Sequence, residues 1–242
     1  MAARPPDFSI VIPVFNEADN LAPMVREIEA AFAGRPETYE ILFVDDASTD
    51  GSAALLEALA RDHPAVRTLR HRQNFGQSAA VATGFHAARG EWIGTLDGDG
   101  QNDPADLPKM LDEARRLAVD CVTGVREKRQ DSFLRRLSSR VGNAFRNLLT
   151  GDEVTDSGCG ARVLRAECAR ALPVFNGLHR FMPTLLRAQG FTVVERPVNH
   201  RPRLAGVSKY GVHNRLWRGI RDCFGVRWLK ARAVPARRLH EE

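Results

Sequence analysis

Cysteine is scarce in this sequence of 242 residues, and the cysteines that occur lie far apart, at Cys121, Cys159, Cys168 and Cys223. The absence of any Cys-x-x-Cys pair argues against a zinc site and against a disulfide framework. Apolar runs are short, and none approaches the roughly 20 residues that span a bilayer. The amino terminus lacks the apolar core of a signal peptide. We therefore expect a cytoplasmic protein that is at most peripheral at the cytoplasmic face of a membrane.

Three common phosphate or metal motifs are also missing. A P-loop requires Gly-Lys followed by Ser or Thr after a glycine-rich run, and the sequence has none. A dinucleotide fingerprint requires Gly-x-Gly-x-x-Gly after the first predicted strand, where residues 13–17 read Pro-Val-Phe-Asn-Glu. An EF-hand loop that starts at Asp97 would need Gly at Asn102 and an acidic ligand at Pro108. NAD, FAD and an EF-hand calcium ion are therefore not expected.

Charge is unevenly distributed along the chain. The formal net charge is +5, but basic residues greatly outnumber acidic ones between residues 196 and 238, whereas the first hundred residues are near balance. A basic end of this kind suits an anionic partner, such as phosphate groups, nucleic acid or an acidic membrane surface.

Short apolar runs alternate with amphipathic stretches through the first 125 residues. Strands are predicted at residues 8–13, 39–44, 66–70, 92–96 and 119–123, with helices between them. This alternation predicts an α/β fold with a doubly wound, mostly parallel, Rossmann-like sheet. Asp103 and Pro104 predict the start of one helix, with Asp103 as its cap. Beyond residue 126 we expect a helical, basic elaboration with a late strand at 191–195 and a last helix at 210–230.

Two of the predicted strands run directly into carboxylates. Asp45-Asp46 follows the second strand, and Asp97-Gly98-Asp99-Gly100-Gln101 follows the fourth. Ligands of open parallel sheets bind beyond the carboxyl ends of the strands. Carboxylate and amide oxygens suit a divalent cation, and the glycines let a ligand approach the backbone. The alternative is an ordinary surface turn, because Asp and Gly are both common in turns.

Four segments occur in an order that is typical of one family. They read Val-Ile-Pro-Val-Phe-Asn-Glu at 11–17, Val-Asp-Asp-Ala-Ser-Thr-Asp-Gly at 44–51, Asn-Phe-Gly-Gln at 74–77 and Leu-Asp-Gly-Asp-Gly-Gln at 96–101. Together they resemble the family 2 glycosyltransferases with the GT-A fold. Segments at 124–126, 156–162 and 203–209 resemble the branch of dolichyl-phosphate mannose synthase, which includes bacterial transferases that act on undecaprenyl phosphate.

The resemblance covers about residues 8–230 and implies a single GT-A domain over residues 1–230. Within that domain, residues 8–125 would bind the nucleotide sugar and residues 126–209 the acceptor. Residues 210–230 would form an amphipathic helix, and residues 231–242 a basic tail.

The resemblance also implies roles for individual residues. Those expected to bind the nucleotide sugar are Pro13, Phe15, Glu17, Val44, Asp46, Asp97, Gly98, Asp99 and Arg126. Those expected to hold Mg²⁺ or Mn²⁺, and through it the diphosphate, are Asp97, Asp99 and Gln101. Those expected to bind acceptor or donor phosphates are Arg135, Arg136, Arg203, Ser208 and Lys209. Those expected to act in catalysis are Asp99, Asp156 and Arg126, with Asp156 near the acceptor in an orienting role at least as much as a basic one.

Two positions depart from the pattern of the family. Phe15 replaces a common Tyr, which removes a hydroxyl contact but keeps a ring for stacking. Gly100 replaces a frequent Leu, which loosens packing after the second Asp.

The implied activity is the inverting, metal-dependent transfer of a sugar from a nucleotide donor to a dolichyl or undecaprenyl phosphate. Mannose from GDP-mannose is the favoured sugar of this branch, and UDP-sugars that carry glucose or aminoarabinose remain open. Two alternatives are a family 2 transferase for a cell-surface polysaccharide and a nucleotide-sugar-binding protein without turnover. A phosphatase of the haloacid dehalogenase type is disfavoured, because its Asp-x-Asp motif follows the first strand, whereas here the motif follows the fourth predicted strand. No nucleic acid partner is expected.

The last predicted helix supports two interpretations. Apolar and aromatic residues recur every four positions, at Val212, Leu216, Ile220, Phe224 and Trp228, among many arginines. Such a helix either lies in a membrane interface or packs on the core with a basic outer side. Members of this branch often carry transmembrane helices after this point, so a separate membrane protein is a further expected partner.

Overall fold

A computed structural model describes residues 4–126, 133–202 and 213–235, without the side chains of residues 133–141 and 213–218. Its strands are β1 (Phe8–Val14), β2 (Tyr39–Asp45), β3 (Val66–Arg70), β4 (Trp92–Thr95), β5 (Cys121–Arg126), β6 (Arg162–Arg165) and β7 (Val193–Val198). Its helices are α1 (Ala18–Phe32), α2 (Ser52–Asp62), α3 (Gln77–Ala87), α4 (Asp106–Leu117), α5 (Phe133–Thr150), α6 (Ala166–Ala171), α7 (Leu178–Ala188) and α8 (His213–Arg232).

The strands form one sheet in the order β3-β2-β1-β4-β6-β5-β7. β6 pairs antiparallel with β4 and with β5, and the other pairs are parallel. The strand order reverses at β1, which lies between β2 and β4. The carboxyl ends of β1 and β4 therefore flank the crevice where ligands of open α/β sheets bind.

Helices cover both faces of the sheet, which confirms the predicted doubly wound α/β fold. On one face α1, α2 and α4 bury residues such as Leu21, Leu56 and Leu107 in one core cluster. On the other face α3, α6, α7 and α8 contribute to a second cluster, with Phe85 and Phe181 among its members. The central strands, such as β1 and β2, read as apolar runs because both of their faces are buried.

Two local predictions were wrong. α4 begins at Asp106 and not at Pro104, and its cap position is Ala105, without a side-chain cap. Asp103 instead accepts a hydrogen bond from the Ala105 amide at 3.0 Å and forms an ion pair with Arg201 at 2.7 Å. The long-range ion pair thus holds Asp103 in the turn before the helix.

The last helix packs on the core through Cys223 and Val226, which are buried in the second cluster. Phe224 and Trp228, two members of the predicted apolar stripe, are exposed on its other side. In the part of the chain that the structure describes, no helix combines the length and the apolar character needed to cross a membrane. The proposed division of the chain into nucleotide-sugar, acceptor and tail segments stays a prediction.

Candidate active site

The Asp97-Gly98-Asp99 segment leaves the carboxyl end of β4, beside the end of β1. Gly98 is buried, and a Cβ atom added there would lie 2.8 Å from the carbonyl oxygen of Pro13. The close approach of the two backbones therefore requires glycine between the aspartates. As a result, Asp97 and Asp99 emerge next to Pro13, which the sequence assigned to the nucleotide.

Asp97 is fixed from two sides. Its Oδ1 accepts a hydrogen bond from Nε2 of Gln77, the first residue of α3, at 2.7 Å. On the other side, a Cβ atom added to Gly160 would lie only 2.3 Å from Oδ2 of Asp97. The backbone at Gly160 thus packs directly against the carboxylate, and Gln77 holds its orientation.

The electrostatics of the two aspartates suit a divalent cation. Burial and the nearby negative charge of Asp99 raise the pKa of Asp97 to about 6, although the charges of Arg162 and Arg126 oppose the shift. A cation between two carboxylates offsets the repulsion between their negative charges. Their hard oxygen atoms are the ligands that Mg²⁺ and Mn²⁺ prefer. The residues present therefore fit the predicted metal.

Gln101 completes the predicted metal set on the far side of the segment. Its Nε2 donates to the carbonyl oxygen of Arg201 at 3.4 Å, which leaves Oε1 as the atom for a cation. Among the described residues, no group of three His, Cys, Asp or Glu side chains is placed to hold a metal. The predicted set has only Asp97 and Asp99 as acidic members, so remaining ligands would come from Gln101, water or a bound diphosphate.

The loops after β1 and β2 are tied together beside this segment. Asn16 has a left-handed backbone with φ of 54°, and its Oδ1 accepts a hydrogen bond from the Thr49 amide at 2.7 Å. The amide of Glu17 donates to Oγ of Ser52 at 3.0 Å. Phe15 and Glu17 are partly exposed at this edge, where a nucleotide could reach them. The motifs at 11–17 and 44–51 therefore form one local unit.

Asp46 anchors a third loop with both of its carboxylate oxygens. Oδ1 accepts hydrogen bonds from the amide of Phe75 at 2.9 Å and lies 2.7 Å from Nδ1 of His71. Oδ2 accepts a hydrogen bond from the amide of Gly76 at 2.7 Å. The carboxylate is buried and engaged by the protein itself, and its contact with a nucleoside stays a prediction. Val44 is fully buried within β2, so only its backbone is available to a ligand.

Arg126 and Asp156 form a partly buried ion pair at the site. Nε and Nη2 of Arg126 donate to the two carboxylate oxygens of Asp156 at 2.7 and 2.8 Å. The amides of Arg126 and Gly158 also donate to Asp156, each at 3.2 Å. Both oxygens of Asp156 are thus occupied, an arrangement that orients Arg126 and leaves little capacity to accept a proton.

Two residues near Asp97 received no role from the sequence. Gln77 was part of a quoted motif, but its contact with Asp97 depends on how α3 packs. Arg162 is buried, and its Nη2 donates to the carbonyl oxygen of His179 at 3.0 Å. Its Nε has no hydrogen-bond partner within the described chain. The sequence motif at 156–162 includes Arg162, but the register between β6 and β4 is what places it opposite Thr95.

The family model described as Glycosyl transferase family 2 matches residues 9–172, more than half of the chain. The chain belongs to this family. The match includes the carboxylate motifs that follow β2 and β4, together with the segment that contains Asp156 and Arg162.

Several curated relatives of this family 2 chain have names that contain a polyprenyl phosphate and a sugar. The chain is 37% identical over 226 residues to a dodecaprenyl-phosphate galacturonate synthase from Rhizobium johnstonii, covering 91% of this chain and 66% of the relative. It is 37% and 41% identical to undecaprenyl-phosphate 4-deoxy-4-formamido-L-arabinose transferases from Edwardsiella ictaluri and Pseudomonas fluorescens, covering 84% of this chain and 63% and 59% of those relatives. The chain therefore spans about three fifths to two thirds of their length.

Solved structures share the GT-A fold of this chain. A mannosyltransferase from Pyrobaculum calidifontis, in complex with GDP-Man and Mn²⁺, superposes with a TM-score of 0.65 at 21% identity, covering 96% of this chain and 66% of that one. A glucosyl-3-phosphoglycerate synthase from Mycobacterium tuberculosis, in complex with Mn²⁺ and UDP, gives 0.64 at 16%, covering 95% and 81%. These likenesses confirm the fold. The Mn²⁺ ions were bound by those two proteins.

The predicted phosphate-binding residues of this family 2 chain lie where the structure gives no side-chain account. Arg135 and Arg136 belong to α5, but their side chains are outside the described set. Arg203, Ser208 and Lys209 lie outside the described residues altogether. Their roles stay predictions.

Proposed function

We propose that this chain transfers a sugar from a nucleotide donor to a polyprenyl phosphate, with inversion at the anomeric carbon. The observation that carries the proposal is the pair Asp97 and Asp99 at the crevice between β1 and β4, in which Gln77 and the close backbone of Gly160 fix Asp97. The names of the 37–41% identical relatives, which are polyprenyl-phosphate sugar synthases and transferases, support the acceptor. The intact set of Asp97, Asp99 and Gln101 favours turnover over a protein that only binds the donor.

The donor would lie along the crevice, with its nucleoside toward Phe15 and Glu17 and its diphosphate toward Asp97 and Asp99. A divalent cation held by Asp97, Asp99 and Gln101 would neutralise the charge that develops on the departing nucleoside diphosphate. Arg126, fixed by Asp156, would present a guanidinium to the same charge.

The acceptor needs little activation by the protein. A lipid phosphate is an anion near neutral pH, with a second pKa of about 6, and it can attack the anomeric carbon directly. The occupied oxygens of Asp156 are consistent with a reaction that has no strong general base. The chain must mainly hold the acceptor phosphate in position for attack. The proposed phosphate contacts are Arg135, Arg136, Arg203, Ser208 and Lys209.

The names of the relatives change which sugar we propose for this chain. Mannose was the expectation from the sequence, whereas the relatives are named for galacturonate and 4-deoxy-4-formamido-L-arabinose. We therefore rank these sugars, on a UDP donor, above mannose on GDP. A polyprenyl phosphate resides in a bilayer, so the reaction would take place at a membrane surface, with the cytoplasmic face as the proposed side. A separate membrane protein remains a proposed partner.

A donor panel tests this function. Purified protein with undecaprenyl phosphate and Mn²⁺ is incubated with UDP-galacturonate, UDP-4-deoxy-4-formamido-L-arabinose, UDP-glucose and GDP-mannose, and the lipid product is identified by mass spectrometry. One donor should yield a lipid-linked monosaccharide that requires the metal. Transfer only to a saccharide acceptor would support the polysaccharide alternative, and donor binding without any transfer would support the binding protein.

A further inference from the structure

The outer face of α8 carries large apolar side chains that the core does not need. Phe224 is 55% exposed and Trp228 is 62% exposed, one helical turn apart. The opposite face of the helix buries Cys223 and Val226 in the core cluster. Because these residues account for the packing of α8 on the core, the packing leaves the two aromatic rings unexplained.

The neighbouring helix α5 also exposes apolar side chains. α5 packs against α8, and Nζ of Lys230 donates hydrogen bonds to the carbonyl oxygens of Thr150 and Gly151 at 2.8 and 3.0 Å. Leu149 of α5 packs against the core cluster that contains Cys223 and Val226. On its outward side α5 exposes Phe145 and, at 81%, Leu148. We call the outward side chains of both helices the α5–α8 face, and its apolar members are Phe145, Leu148, Phe224 and Trp228.

The same face is basic. Arg221, Arg227 and Arg232 are exposed on α8, next to the two aromatic rings in the helical repeat. Within the described part of the chain, no carboxylate forms an ion pair with any of the three. The whole of α8 (His213–Arg232) contains six Lys or Arg residues and one acidic residue, Asp222. A partner of this face must therefore combine an apolar layer with negative charge.

A groove beside Trp228 extends the apolar surface. It encloses about 380 Å³ between α8 and the elements around α6 and α7. Its apolar lining includes Leu172, Pro173, Leu185, Trp228 and Val234. The groove is also lined by Gln189, Lys230 and Arg232, so its walls combine apolar and basic groups, as the α5–α8 face does.

We infer that the α5–α8 face binds the surface of an anionic phospholipid bilayer, with Phe224 and Trp228 in the interface and the arginines on lipid headgroups. Aromatic residues prefer the headgroup level of a bilayer. Basic residues next to anionic lipid add an attraction that salt weakens. This inference names the partner surface of the proposed lipid-dependent reaction and rests on the proposed function only for its purpose. Binding itself requires no sugar or acceptor.

The test is sedimentation of the purified chain with vesicles that contain no polyprenyl phosphate. The wild-type protein should bind vesicles of phosphatidylglycerol and phosphatidylcholine, bind pure phosphatidylcholine far less, and dissociate as salt is raised. Tryptophan fluorescence should shift to shorter wavelength on binding, and Trp228→Ser should reduce the shift. Failure of the wild-type protein to bind anionic vesicles overturns the inference.

Matched variants locate the surface. Arg221→Gln with Arg227→Gln should weaken binding on the order of tenfold or more, since each basic residue contributes about fivefold. Phe224→Ser with Trp228→Ser should also weaken it, while circular dichroism shows an unchanged fold. The control, Arg26→Gln with Arg61→Gln, removes the same charge from exposed positions on α1 and α2, on the other side of the sheet. Equal binding by control and α8 variants contradicts the inference.

Two further readouts separate the remaining outcomes. Analytical ultracentrifugation tests whether the face binds a second copy of the chain. If the wild-type protein does not bind vesicles but forms dimers that Phe224→Ser with Trp228→Ser abolishes, the face is a dimer interface and the inference is overturned. Transfer to a short, water-soluble polyprenyl phosphate in detergent should survive in the α8 variants. If wild-type protein binds vesicles but transfers no sugar, the proposed function fails while the surface assignment stands.

Discussion

Arg126 and Asp156 are joined by two hydrogen bonds, at 2.7 and 2.8 Å, from one guanidinium to both oxygens of one carboxylate. A general base needs a lone pair that is free to take a proton from the substrate. Asp156 has its lone pairs directed at Arg126 and at two backbone amides. Its role in our account is therefore to hold Arg126.

Asp156→Asn should slow transfer without changing the form of its pH dependence. The amide keeps the shape of the side chain but gives up the charge pair, at a cost of roughly 1–3 kcal/mol in the free energy of unfolding. The measurements are denaturant unfolding and kcat against pH. If the wild-type enzyme shows an acidic limb in kcat that disappears in the variant, Asp156 is a base and our assignment is wrong.

In the metal-free protein, the contribution of Asp97 to stability should fall as pH rises from about 4 to about 6. Burial and Asp99 raise the pKa of Asp97 from the model-compound value of 3.8 to about 6, so the folded state binds more protons than the unfolded state in this window. Above this pH window, the ionised Asp97 therefore destabilises the folded state. Asp97→Asn should remove this contribution and raise the free energy of unfolding at pH 7 by about 1–3 kcal/mol in the absence of metal.

Thermal unfolding with and without Mn²⁺, at several pH values, measures this effect. Mn²⁺ should stabilise the wild-type protein at pH 7 and leave Asp97→Asn unchanged. A variant that is less stable than wild type at pH 7 without metal would contradict the electrostatic account of Asp97.

Gly160→Ala should damage the site while leaving the chain folded. The new Cβ atom would lie 2.3 Å from Oδ2 of Asp97, so the carboxylate must move. We expect at least a tenfold loss of Mn²⁺ affinity by calorimetry, since metal ligands tolerate displacements of only about 0.2 Å. Gly225→Ala is the control, because a Cβ atom there meets nothing within 4 Å. Equal affinities for Mn²⁺ in both variants would show that Gly160 does not fix Asp97.

Asp46→Asn should loosen the loop at residues 74–77. The carboxylate accepts two backbone hydrogen bonds, from Phe75 and Gly76, and an amide can accept only through its single oxygen. We expect a loss of about 1–3 kcal/mol in unfolding free energy and a higher KM for the nucleotide sugar. A raised KM with unchanged stability would favour the sequence-based role of Asp46 as a direct nucleoside ligand.

The sequence predicted the parallel part of the sheet because the strands β1, β2 and β4 are buried on both faces and appear as apolar runs. It did not predict that β6 lies antiparallel between β4 and β5, since that pairing joins residues that are about 70 and 40 positions apart in the chain. Arg162 was missed for the same reason. Its place beside Asp97 depends on the register Thr95↔Arg162, which no local pattern encodes.

The contrast between Phe224 and Val226 shows a second limit. The four-residue apolar repeat predicts one stripe on the last helix and allows either a membrane interface or packing on the core. In the structure, Cys223 and Val226 are buried in the core. Phe224 and Trp228, which belong to the predicted stripe, are exposed. Periodicity identifies an apolar side, but tertiary packing decides which residues the core uses.

The central claim is that Asp97 and Asp99 hold the metal for sugar transfer to a lipid phosphate, and Asp99→Asn tests it most directly. The measurement is the rate of lipid-linked sugar formation with the donor that the panel identifies, undecaprenyl phosphate and Mn²⁺. Asp112→Asn, on the exposed surface of α4, removes the same charge as a control. We predict a loss of about 100-fold or more for Asp99→Asn and a rate near wild type for Asp112→Asn. Equal rates for the two variants would contradict the account.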